Sequence, residues 1–157
     1  MEPAKAEQTK NPFDMLHGYY FEELREGMQD AYAKTITDAD VITFAGISGD
    51  TNPVHLNHEF ASETMFEGQV AHGMLTASFI STVIGTKLPG PGCIYVSQNL
   101  RFKAPVKVGD TVTAVCTVTK MDPEKRMIEM ETVCTVNGQP VLNGQATILV
   151  PSRTRNQ

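Results

Sequence analysis

Two short stretches of this chain carry the groups that proton transfer needs: Ser48-Gly49-Asp50-Thr51-Asn52-Pro53-Val54-His55, and Ala71-His72-Gly73-Met74. A carboxylate and an imidazole can take and return protons. Backbone N–H groups at a helix start can hold negative charge that develops on an oxygen. Asp50 and His55 lie five positions apart, a rotation of about 140° on a continuous α-helix. A helix would therefore point them to different sides. Pro53 argues against such a helix and pushes Asn52 toward an extended conformation. The expectation is a bent loop that turns both side chains into one pocket. An ordinary Asp/Asn/Pro turn with a surface histidine uses the same residue types, so the pattern alone leaves both readings open.

A resemblance separates them. The run Phe44-Ala45-Gly46-Ile47-Ser48-Gly49-Asp50-Thr51-Asn52-Pro53-Val54-His55 resembles the hydratase signature of the MaoC-like proteins, in the version carried by their (R)-specific enoyl-CoA hydratases. The similarity continues through Val70-Ala71-His72-Gly73-Met74-Leu75 and from Ile94 to Val106, and it covers nearly everything from about Gln29 to Val150. It implies an α+β hot-dog fold, an antiparallel sheet wrapped around a central buried helix. It also implies hydration of a trans-2-enoyl-CoA to the (R)-3-hydroxyacyl-CoA, and the reverse dehydration.

On that reading Asp50 and His55 converge on one water. Gly73 offers its backbone N–H to the thioester oxygen as an enolate forms, and its lack of a side chain lets the carbonyl approach. Asn52 orients the loop or the water, and His72 supports the loop. Ser81 falls about two turns beyond Gly73 on the same helix face. It bonds either to the reacting groups or back to its own helix. Val83 and Ile84 are the expected floor of the acyl tunnel, and their bulk favours a short chain. Arg101 and Lys103, with Lys107, are the basic residues available to coenzyme A phosphates. A homodimer or higher homo-oligomer is expected, with the acyl tunnel at the subunit boundary.

The remaining chemistry narrows the alternatives. No cofactor beyond the coenzyme A of the substrate is expected. The chain has four histidines, yet no H-x-x-x-H or Cys/His spacing marks a metal site. Gly46-Ile47-Ser48-Gly49-Asp50 has Asp50 where a serine-hydrolase elbow needs glycine. The dinucleotide fingerprint G-x-G-x-x-G is absent. A net charge of -5 argues against non-specific nucleic-acid binding. Cys93, Cys116 and Cys134 form no C-x-x-C pair and read as reduced, strand-borne small hydrophobes. No stretch reaches the length of a membrane span, so no membrane partner is expected, and the cytoplasm is the expected compartment. Three other functions use the same fold: dehydration of 3-hydroxyacyl groups on acyl carrier protein, thioester hydrolysis, and acyl-thioester binding without turnover.

The elements that must position these groups are also legible. At 157 residues and 41% apolar, the chain is one domain with a real core. Residues 1–11 read as a disordered tail, 12–28 as an aromatic-rich arm, 29–151 as the domain and 152–157 as a tail. A strand is expected over Gln29 to Thr35. A helix capped by Thr37 or Asp38 follows and ends at Gly46 and Gly49. Asn57 caps a short helix through Phe60 and Ala61. Gly73 opens an almost wholly apolar helix that stops at Lys87-Leu88-Pro89-Gly90-Pro91-Gly92. Strands are expected near Cys93 to Lys103, Thr111 to Met121, Met127 to Val136 and Gln139 to Val150. Asn137-Gly138 joins the last two as a tight hairpin. His17 and His58 are expected at the surface.

Overall fold

The computed structural model describes residues 11–154. All of the expected N-terminal tail except Asn11, and residues 155–157 of the C-terminal one, lie outside the described residues.

Alternating apolar and polar residues in the C-terminal half build four strands of the sheet, and a fifth comes from before the first long helix. The strands are β1 (Gln29–Thr35), β2 (Ile94–Phe102), β3 (Thr111–Asp122), β4 (Met127–Val136) and β5 (Gln139–Leu149). They pair antiparallel in the order β1-β3-β4-β5-β2. In β3, Val112, Ala114, Cys116 and Val118 are buried, and in β4 so are Ile128, Met130, Thr132 and Cys134. Period-two alternation thus gives the sheet one core face. Asn137 and Gly138 have φ of 50° and 75°, the paired positive values that a two-residue hairpin with the right twist requires.

The helices are α1 (Pro12–Leu16), α2 (Asp38–Ser48), α3 (Pro53–Leu56), α4 (His58–Ser62) and α5 (Gly73–Thr86). The apolar run after Gly73 buries Leu75, Phe79, Ile80, Val83 and Ile84 against the sheet face, packing on β1, β3 and β4. Tyr32 of β1 meets Phe79 edge-on, with ring centroids 5.5 Å apart. This is the hot-dog architecture: the sheet curls around α5 because neither surface has another way to leave water. One strip of α5 nevertheless stays outside. Gly73, Met74, Ser81 and Gly85 are exposed, so the helix is not buried on all sides within one chain.

Other departures are local. Gly46 lies inside α2, which ends at Gly49 alone, in the left-handed region at φ 77°. The stretch before His55 is not loop throughout. Pro53 opens the one-turn helix α3, where its missing N–H costs nothing. His17 is half-buried rather than exposed, stacked on Tyr20 at 4.0 Å and pressed against Gly92. The arm docks on the loop after α5, with Gly18 and Tyr19 donating to the Pro91 and Pro89 carbonyls. Arg153 bonds Glu23 and lies over the Tyr20 ring. Cys93 precedes β2 instead of lying in it; all three cysteines are free thiols. Burial pushes Cys116 and Cys134 up to about 12, which keeps them protonated core groups.

Candidate active site

Asp50 is presented by the bend between α2 and α3. Ser48 Oγ accepts the Asp50 N–H at 3.1 Å, and Asp50 Oδ1 accepts the Asn52 N–H at 3.3 Å. These local Asx and Ser turns fix the bend without help from distant elements. Asn52 Oδ1 accepts the Val54 N–H at 3.1 Å, so it caps α3 and orients the loop. Asp50 keeps its other oxygen, Oδ2, turned toward His55 Nε2 at 3.9 Å.

The segment before α5 supplies the other wall. Gln69 donates to the His55 carbonyl, and Ala71 donates to the Val106 carbonyl at 2.7 Å. His55 Nδ1 donates to the Val70 carbonyl at 2.7 Å. A carbonyl can only accept, so this bond puts a proton on Nδ1; in the neutral ring Nε2 is then the lone-pair nitrogen, and it faces Asp50. His72 Nε2 donates to the Asp50 carbonyl at 2.9 Å. The two imidazole centroids are 3.8 Å apart, and the Phe44 ring lies 4.9 Å from that of His72. His72 is thus the buried wedge that ties the Asp50 bend to the start of α5.

These residues border a cavity of about 560 Å³ between α3, the α5 start and the end of β2. Asp50, Asn52, His55, His72 and Gly73 all line it, as does Lys103. Ser81, Val83, Ile84 and Arg101 do not. Val83 and Ile84 are wholly buried in the core under the sheet, so they cannot floor this cavity. Ser81 and Arg101 are exposed elsewhere on the chain. Lys107 donates to the Phe66 carbonyl at 3.0 Å and serves the loop.

Sequence reasoning passed over three contributors. Met74 follows Gly73 at the α5 start, and His72 gives no side-chain cap there. None of the hydrogen bonds among the described residues uses the Gly73 or Met74 N–H, so two adjacent donors face outward where one was expected. Thr76 lines the cavity with its buried Oγ1 unpaired among the described residues. Phe102, at the end of β2, lays its ring against Gly73: a Cβ there would stand 2.6 Å from Phe102 Cε1. The glycine is required for that contact as well as for any incoming carbonyl. Apolar periodicity alone marks Phe102 as an edge-strand residue, with no hint of its neighbour.

The chain's likeness to known proteins agrees with this geometry. A family model described as "MaoC like domain" matches residues 21–139. An (R)-specific enoyl-CoA hydratase of Rhodospirillum rubrum is 55% identical over 140 residues, covering 89% of this chain and 97% of that protein. A 3-hydroxybutyryl-CoA dehydratase of Methylorubrum extorquens is 45% identical and covers 88% of each chain. Among solved structures, the unliganded R-hydratase PhaJ1 from Pseudomonas aeruginosa superposes with a TM-score of 0.81 at 39% identity, covering 88% of this chain and 91% of its own.

Proposed function

Since this chain belongs to the MaoC-like domain family, we infer that it is a hydro-lyase, an (R)-specific enoyl-CoA hydratase that adds water to a trans-2-enoyl-CoA. The family reading meets its chemistry in one observation: the free oxygen of Asp50 and the lone-pair nitrogen of His55 face each other at 3.9 Å on the cavity wall. One water fits between two acceptors at that spacing, with a hydrogen directed at each.

The water attacks C3 of the enoyl group as the pair withdraws its proton. Electrons move from the C2–C3 double bond onto the thioester oxygen. The Gly73 and Met74 N–H groups receive that charge at the positive end of α5. The proton held by the pair then passes to C2, which completes the (R)-3-hydroxyacyl thioester and restores the dyad. Asn52 and His72 act through position, the first by capping α3 and the second by holding the Asp50 carbonyl. Lys103, exposed at the cavity rim, is the basic side chain best placed for a coenzyme A phosphate. The acyl chain is short, a reading supported by the four-carbon name of the Methylorubrum extorquens relative. The working unit is a homodimer or larger assembly, supported by the edge of β2, unpaired among the described residues, and its exposed apolar residues.

Hydration of crotonyl-CoA, followed by absorbance and by chiral analysis of the product, tests this reading. The (R)-product is expected. Asp50→Asn and His55→Gln should each lower kcat by about a hundredfold or more, with the fold intact by circular dichroism. Ordinary turnover by both variants would remove the dyad. Faster turnover of the crotonyl group on acyl carrier protein would move the substrate assignment there.

A further inference from the structure

We propose that Asp50, His55 and His72 also form a capture site for a borderline divalent transition ion such as Zn2+, and that the captured ion blocks hydration. One carboxylate oxygen of Asp50 and one nitrogen of each histidine lie within 4.8 Å of one another. Two imidazoles and a carboxylate are the donor set of two-histidine-one-carboxylate metal triads. A histidine serves a metal well when one ring N–H is fixed on a stationary acceptor, which leaves the other nitrogen as a directed lone pair. Both rings meet that condition through different bonds. His55 Nδ1 is anchored on the Val70 carbonyl at 2.7 Å, and His72 Nε2 on the Asp50 carbonyl at 2.9 Å.

The lone pairs left over point to a missing partner. His55 Nε2 faces Asp50 Oδ2, and His72 Nδ1 is buried with no hydrogen-bond partner among the described residues. A buried nitrogen without a partner is unfavourable, so a His72 ring that turns Nδ1 to an ion held by Asp50 and His55 gains the partner it lacks. The mixed nitrogen and oxygen set favours zinc over magnesium or calcium, which prefer all-oxygen shells. To ligate, the three donors must close by about an ångström. The Asp50 carboxylate, exposed on its bend, and the two ring torsions share that movement, at the expense of the Asn52 N–H bond that Asp50 Oδ1 accepts. The open side of the ion would face the cavity. The histidines come from separate stretches of chain, so no spacing rule finds the set.

Ion capture engages the oxygen and nitrogen that would otherwise hold the reacting water. The inhibitory half of the proposal therefore rests on the hydratase reading, whereas ion binding does not. The test uses the full chain, freed of metal by chelator. Cobalt(II) is titrated in and its visible d–d absorption followed, with histidine ring NMR signals recorded in parallel. One ion per chain is expected, with the ring signals of His55 and His72 shifting while those of His17 and His58 stay. His72→Gln should weaken binding by at least about tenfold. Zinc should suppress crotonyl-CoA hydration, and chelator should restore it.

An unchanged aqueous cobalt spectrum at millimolar ion overturns the site. So does undiminished binding in a folded His55→Gln/His72→Gln protein. If that variant does not fold, the wild-type ring signals decide, and shifts confined to His17 or His58 overturn the site. Full hydration with the ion bound overturns the inhibition. A protein that binds the ion but hydrates nothing when metal-free overturns the hydratase reading and leaves the ion site standing.

Discussion

Gly73 carries two demands at once, and they can be separated. Its φ lies outside the left-handed range, so alanine fits the backbone; the obstacle is Phe102, whose Cε1 and Cδ1 lie 2.6 Å and 2.8 Å from an added Cβ. Phe102 is half-exposed on the terminal strand, and its ring can swing, at the loss of its packing on α5. Gly73→Ala is therefore expected to cost about 1–3 kcal/mol of stability, the usual range for overpacking. It should also lower kcat/KM, because the methyl crowds the path to the two free N–H groups. Removing the ring tests the first demand alone. In a Phe102→Ala background, Gly73→Ala should destabilise much less than in the wild type, since neighbours that touch do not add. Thermal melts of the four proteins close that cycle, and kinetics on the same samples should still show the alanine penalty. Strict additivity in the melts would mean that the glycine answers to something other than the ring.

At the scale of elements, α2 shows how local chemistry aims the site. Thr37 and Asp40 form a reciprocal capping box at its start, and Gly49 ends it in the left-handed turn that leads to Asp50. The Asp40 carboxyl is held below the ordinary carboxylate range, chiefly by a hydrogen bond from Lys34 and next by the Thr37 N–H. A depressed folded value means that the stabilisation is present above the unfolded value of about 4 and is lost as pH falls through the folded one. Asp40→Asn should flatten that part of the acid limb, read as urea midpoints from about pH 5 down to about pH 2. An acid limb identical to wild type would assign the loss to other carboxylates. The capping pattern was legible from Thr37 and Asp38 onward, as were β1, β4 and the Asn137-Gly138 hairpin, because propensity, alternation and turn residues agree there. The one-turn α3 was not, since Pro53 reads as a breaker unless its place at the first helical position is known. The face of α5 was also hidden. Apolarity on nearly every side says that the helix is buried, but not that Val83 and Ile84 face the sheet while Met74 and Ser81 face out. Asp50 and His55 were visible as a pair in the motif, yet the His72 ring that bonds the Asp50 carbonyl and lies against His55 depends on a crossing of chain that no local pattern encodes.

The whole molecule has an unfinished side, and it adjoins the cavity. Among the described residues β2 ends the sheet with only β5 as neighbour, and Ile94, Val96 and Phe102 are 55%, 50% and 51% exposed. Met74, from the outer strip of α5, is 56% exposed and lines the cavity together with Phe102. An open strand edge flanked by large apolar side chains invites a second chain, and a two-fold pairing closes both edges with one surface. Val96 sits at the register shift between Tyr95 and Ser97, so a lysine there leaves the β2–β5 ladder intact while placing a charge on the open edge. Val96→Lys is therefore expected to keep the monomer fold, to shift sedimentation from dimer or larger toward monomer, and to lower hydration in step with the fraction dissociated. The dependence on concentration makes the claim specific: activity per chain should rise as the variant is concentrated and the assembly reforms. A wild-type chain that sediments as a fully active monomer would show instead that the cavity of one subunit suffices.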